Sequence, residues 1–76
     1  MPVAFVLLNV NPGKEEEVLK EIRSISEVQE AFRVYGVYDT VVKVSAPTSE
    51  KLKDIITWKI RRQSSVKSTL TMLVVE

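Results

Sequence analysis

Apolar positions recur along this chain with a period of two in four stretches and a period near 3.6 in two. Val3 to Val10 is β-branched and apolar, bounded by Pro2 and Asn11-Pro12-Gly13, which predicts a strand and then a turn. Lys14 to Ile25 carries Val18, Leu19, Ile22 and Ile25 on one helical stripe. Glu15, Glu16 and Glu17 fall in its first turn, where they complement the positive end of the helix dipole. Val28 to Tyr35 alternates, with Val28, Glu30, Phe32 and Val34 set against Gln29, Ala31, Arg33 and Tyr35. Gly36 interrupts and Val37 to Ser45 reads as another strand, so a hairpin turning at one glycine is expected. Ala46-Pro47 ends it, and Thr48 or Ser49 is suited to cap a second helix. That helix buries Leu52, Ile55, Ile56 and Ile60, and Lys59, Arg61 and Arg62 sit in its last turns. After Gln63-Ser64-Ser65, Val66 to Val75 forms the last strand.

The order β-α-β-β-α-β is the split βαβ pattern. The expected fold class is α+β: a ferredoxin-like sandwich, with an antiparallel four-stranded sheet and two helices on one face. The other face then needs cover. The first strand is apolar on both sides, with Ala4, Val6, Leu8 and Val10 opposed to Val3, Phe5 and Leu7. The last strand ends apolar on both sides too, with Met72 and Val74 opposed to Leu73 and Val75. Strands read this way when both faces are buried. Each exposed Val, Leu or Phe forgoes about 1.5–3 kcal/mol. A sheet-to-sheet dimer through Val3, Phe5, Leu7, Leu73 and Val75 is therefore expected. Asp39 and Lys43, on one side of the third strand, fall at its rim or pair across it.

Composition narrows the chemistry. The chain has 76 residues, no Cys and no His, so disulfides, thiolate metal sites and the commonest general base are excluded. A domain this small is marginal alone, and oligomerisation is the remaining staple. Eleven basic residues against ten acidic give a net charge of +1, unlike a dedicated nucleic-acid binder. No apolar run approaches the ~18 residues of a membrane span, and no signal sequence is evident. A cytoplasmic protein without membrane or direct nucleic-acid contact is expected. Paired catalytic carboxylates, phosphate loops and nucleophile-base sets are absent, so no enzyme, cofactor or metal is expected.

Three groups remain as candidate sites. Gly36-Val37-Tyr38-Asp39 offers backbone amides and a carboxylate, although a plain hairpin turn explains it as well. Ser68, Thr69 and Thr71 offer hydroxyls on the last strand, where Thr is also simply a good strand residue. Trp58 lies off the buried stripe of its helix and is placed either in an oligomer contact or along the helix flank.

Gly36 to Val44 in mid-chain and Val66-Lys67-Ser68-Thr69-Leu70-Thr71 near the end resemble the effector domain of Lrp/AsnC transcription regulators. That family shows a Gly-x-x-Asp before an apolar strand and a Val-x-x-Thr-x-Thr entering the last one. The resemblance implies a stand-alone ligand-binding (RAM) module over residues 1–76, without the helix-turn-helix domain usual in these regulators. It implies dimers built sheet to sheet, assembly as far as an octamer, and full-length regulators as partners in mixed oligomers. It also implies an amino-acid effector held between dimers near Gly36 to Asp39 and Ser68 to Thr71. The effector's ammonium is then expected at Asp39 and its carboxylate at amides near Gly36. Three other readings stand beside this one. They are a ligand-free structural oligomer, a small dimeric α+β barrel enzyme using Tyr35, Tyr38 or Asp39, and an ACT-like amino-acid sensor.

Overall fold

A computed structural model describes residues 1–75 of the chain. Strand β1 (Val3–Val10) leads to helix α1 (Glu15–Arg23), then strands β2 (Val28–Arg33) and β3 (Thr40–Ser45). Helix α2 (Ser49–Ile55) continues without a break into a π-helical stretch, Ile56–Arg61, and strand β4 (Val66–Leu73) follows. The strands form one antiparallel sheet in the order β2-β3-β1-β4. This is the α+β ferredoxin-like arrangement that the alternation of periods predicts.

Local chemistry accounts for the ends of the elements. The Asn11 carbonyl accepts from the Lys14 N–H at 3.0 Å, with Pro12 and Gly13 between them. Gly13 has φ +87°, so Pro at the second position and Gly at the third give a type II turn. The Glu15 carboxylate accepts from the Gly13 N–H at 2.9 Å at the start of α1. The Thr48 hydroxyl accepts from the Lys51 N–H at 3.1 Å and so caps α2. Arg23 donates from Nε and a terminal nitrogen to the Ala31 carbonyl, at 3.2 and 2.7 Å, tying the end of α1 to β2.

The core fills one side of the sheet. Ala4, Val6, Leu8 and Val10 of β1 and Val42 and Val44 of β3 pack against Val18 and Ile22 of α1 and Leu52, Ile55, Ile56 and Ile60. No helix among the described residues is long and apolar enough to cross a membrane.

Four expectations are corrected. The β2–β3 connection is not a turn at Gly36, because β2 stops at Arg33, β3 starts at Thr40, and six residues join them. The Val34 N–H reaches the Asp39 carbonyl at 2.8 Å and closes this wider loop. Strict alternation in β2 fails because the register slips between Val28 and Glu30. Val28 thus joins Ala31 on the helix side, while Glu30 and Phe32 face the other way. Leu73 stands opposite Ala4, on the helix side of β4, and not beside Phe5 and Leu7. Leu70 and Met72 are the β4 residues on the open face, opposite Leu7 and Phe5. Finally, β4 ends at Leu73, so Val75 lies past the strand. A bulge at Lys67 sets this register, which the apolar pattern of Met72 to Val75 leaves ambiguous.

Candidate functional site

Loop 34–39 and β4 approach the same end of the sheet from opposite sides of β1. The Asp39 N–H donates to the Leu8 carbonyl at 3.0 Å, and Leu8 stands opposite Thr69 on its other flank. One set of candidate residues therefore lies next to β3 and the other on β4, about two strand spacings apart, near 10 Å. Thr69 and Thr71 face the helix side, opposite Leu8 and Val6. Ser68 faces the open side, where its hydroxyl accepts from the Asn9 amide at 3.3 Å. Within one chain these groups share an end of the sheet and do not enclose a cavity together.

The geometry gives Asp39 a task inside the chain. Its Oδ2 accepts from the Val10 N–H at 3.1 Å, and its Oδ1 accepts from the Thr40 hydroxyl at 2.9 Å. Val10 and Thr40 are both buried. The β1–β3 pairing ends at Leu8 and Thr40, so the Val10 N–H lies just past that ladder and a side chain supplies its acceptor. The carboxylate thereby fixes the loop to the ends of β1 and β3. The sequence places Asp39 at a candidate site, but it does not show that both oxygens are engaged by the fold.

The remainder of the loop faces outward. Val34, Tyr35 and Val37 are exposed, and Tyr35 and Val37 almost fully so. Gly36 has φ +156°, and an added Cβ would meet only the Tyr38 carbonyl, at 3.8 Å. Tyr38 and Asp39 are half-buried. One shallow depression of about 260 Å³ lies at the loop itself, lined by Arg33, Val34 and Tyr35, and others lie elsewhere. One of about 320 Å³ is lined by Glu17, Val18, Glu21 and residues 63–65. Another, of about 230 Å³, runs from Glu27 to Trp58 along α2.

Trp58 is exposed, as the helical wheel predicts, and the Arg62 guanidinium lies 4.8 Å from its ring centroid. A neighbouring ion pair links Lys59 Nζ to Glu27 Oε1 at 3.3 Å. Glu27's own backbone N–H does most to hold its carboxyl below the usual range; burial opposes it, and Lys59 and the Ser26 hydroxyl each lower it further. The i, i+4 spacing of Trp58 and Arg62 is legible in the sequence. The Glu27–Lys59 pair spans 32 positions and has no local signal.

On the open face, Phe5 and Leu7 of β1 are flanked by Val41 and Lys43 of β3 and by Leu70 and Met72 of β4, with Phe32 of β2 beyond Val41. Phe32, Leu70 and Met72 remain between 44% and 50% exposed. This is a contiguous apolar sheet surface without a helix over it. Sequence reasoning did not assign Phe32, Val41, Leu70 or Met72 to it; the two bulges decide the side that Phe32, Leu70 and Met72 take, and Val41 joins through its pairing with Leu7.

Comparison with known proteins agrees with this architecture. The family model described as Lrp/AsnC ligand binding domain matches residues 3–76. The HTH-type transcriptional regulator FL11 of Pyrococcus furiosus is 32% identical over 74 residues, covering 97% of this chain and 48% of that protein. The chain thus spans about half the length of the curated relatives it matches. The crystal structure of FFRP-DM1 superposes with a TM-score of 0.95 at 41% identity, covering 99% of this chain and 100% of that one. A transcriptional regulator of Neisseria meningitidis, crystallised with L-Met, shares the fold at 16% identity and a TM-score of 0.87, over 99% of this chain and half of that one. With 74 of its residues under the family model, relatives that are transcription regulators, and the same four-stranded sheet, this chain belongs to the Lrp/AsnC ligand-binding domain family.

Proposed function

We propose that this chain is a non-catalytic effector domain that self-associates through the open face of its sheet and senses a small molecule, an amino acid, in support of transcription regulation. The observation that carries the self-association is the uncovered surface of Phe5, Leu7, Phe32, Val41, Leu70 and Met72 in a chain of this family. Burying such a side chain is worth about 1.5–3 kcal/mol at full exposure, about half that for Phe32, Leu70 and Met72, and less for the half-buried Phe5, Leu7 and Val41. Covering this surface supplies stability that a 76-residue chain otherwise lacks.

The effector reading draws on the family's description as a ligand-binding domain and on the L-Met complex of the Neisseria neighbour. The candidate groups face two sides of one sheet end, so a pocket that uses them takes its further walls from another copy. The exposed Val34, Tyr35 and Val37 and the exposed Trp58 are apolar surface available for such contacts between dimers. Backbone amides of Gly36 to Tyr38 suit a carboxylate, and the hydroxyls of Thr69 and Thr71 suit an ammonium. Asp39 holds the loop in place and adds negative potential beside it. Assembly to an octamer, and mixed oligomers with full-length regulators, extend the same contacts.

Isothermal titration of the oligomeric protein with each common amino acid tests the sensing role. Saturable heat with one or a few of them is expected, with light scattering showing a change or stabilisation of the assembly. No heat with any of them, on protein shown to be oligomeric, refutes the effector claim and leaves a ligand-free interaction module.

A further inference from the structure

The open face of the sheet carries two charges in its paired register, and they are neighbours. Glu30 stands directly opposite Lys43 in the β2–β3 ladder, and Lys43 stands directly opposite Phe5 in the β1–β3 ladder. The other paired positions of that face hold Val3, Leu7, Asn9, Phe32, Val41, Ser45, Ser68, Leu70 and Met72, none of them charged. Lys67 is the bulge residue and lies outside the paired register. Lys43 is already half-buried, while Glu30 is exposed at the edge strand. Among the described residues the ion pairs are Lys14–Glu17 and Lys59–Glu27, and neither Glu30 nor Lys43 takes part in one.

A face whose paired positions hold only one cation and one anion among uncharged residues sets a condition on whatever covers it. Covering Lys43 with a hydrophobic surface strands an ammonium out of water, which is strongly unfavourable without a partner. A second copy of this chain meets the condition. In a two-fold interface residue i of one copy meets residue j of the other, and j meets i. Two facing sheets then bring two cations and two anions together, and the charges cancel. We infer that Glu30 and Lys43 form a reciprocal charge pair across the sheet-to-sheet interface, Lys43 of one copy with Glu30 of the second, and that this pair sets which way the two sheets face each other. The inference rests on the proposed dimer and adds a specificity element to it. Apolar contact alone leaves the relative orientation of two flat sheets loosely determined, whereas opposed charges penalise the wrong one.

Charge reversal in separate chains tests it. Glu30→Lys leaves its chain with two cations on the face, and Lys43→Glu leaves its chain with two anions. Each variant alone, checked for folding by far-UV circular dichroism, is expected to dimerise at least about a hundredfold more weakly than wild type, since like charges then face each other. An equimolar mixture, with one chain labelled with nitrogen-15, is expected to form heterodimers of near wild-type affinity by sedimentation equilibrium and native mass spectrometry. If either reversal unfolds the chain, Glu30→Gln and Lys43→Gln replace the pair, each expected to weaken the dimer about tenfold and to couple in a double-mutant cycle. A monomeric wild type overturns the dimer itself. A dimeric wild type whose folded variants dimerise as tightly as it does, whose mixture gives no heterodimer, or whose Gln substitutions are additive overturns the charge pair alone.

Discussion

Replacing Asp39 by Ala separates a framework role from a ligand role, and its cost follows from two hydrogen bonds. The substitution removes the acceptor for the Val10 N–H at 3.1 Å and for the Thr40 hydroxyl at 2.9 Å. Hydrogen bonds to charged groups contribute about 1.5–3 kcal/mol each when well buried, and Asp39 is only half-buried, so about 1 kcal/mol each is the fair figure. The Val10 amide is then left in a residue that is only 4% exposed, which adds about 1 kcal/mol. The sum is about 2–3 kcal/mol, a large share of the roughly 4–11 kcal/mol expected for a chain of this length. Asp39→Asn keeps an acceptor for Val10, and its amide still meets the Thr40 hydroxyl, so it loses under about 1 kcal/mol. The assay is urea denaturation at one fixed protein concentration, since the proposed dimerisation would shift the midpoint by mass action. An Ala variant within about 0.5 kcal/mol of wild type refutes the framework role. So does an Asn variant as unstable as the Ala one. Asn at wild-type stability with amino-acid binding abolished assigns the carboxylate charge to the ligand instead.

Phe5→Asp is expected to convert the proposed dimer to a folded monomer, because an uncompensated carboxylate at the centre of the open face opposes its burial; a variant that sediments as a dimer excludes this face as the interface. Thr48→Ala removes the cap on the Lys51 N–H and is expected to cost about 1 kcal/mol in the same urea assay. Glu27 has a carboxyl pKa held down in the folded chain, so its contribution to stability is present above its ordinary value of 4.5 and is lost as pH falls through the lower, folded value. Glu27→Gln is therefore expected to flatten the acid side of the melting-temperature profile, and a profile parallel to wild type from neutral pH down to pH 3 excludes that linkage.

The two periods in the sequence were enough to order the six main elements and to place the buried stripe of β1 and both helices, because each reports only local burial. Gly36-Val37-Tyr38-Asp39 and Val66 to Thr71 were likewise legible as motifs, which placed the candidate residues before any geometry was known. Tertiary structure decided what alternation cannot encode. A bulge near Gln29 and another at Lys67 each shift a strand by one position, and one position moves every later side chain to the other face. That is why Leu73 turned out to be on the helix side, and why Phe32, Leu70 and Met72 joined Phe5 and Leu7. The same shift brought Glu30 opposite Lys43, a pairing across thirteen positions that no local pattern marks. Asp39 shows the division most clearly. Its place in a Gly-x-x-Asp motif is a property of the sequence. Its hold on Val10, 29 residues away, exists only because β1 and β3 are neighbours in the folded sheet and a buried amide there needs a partner.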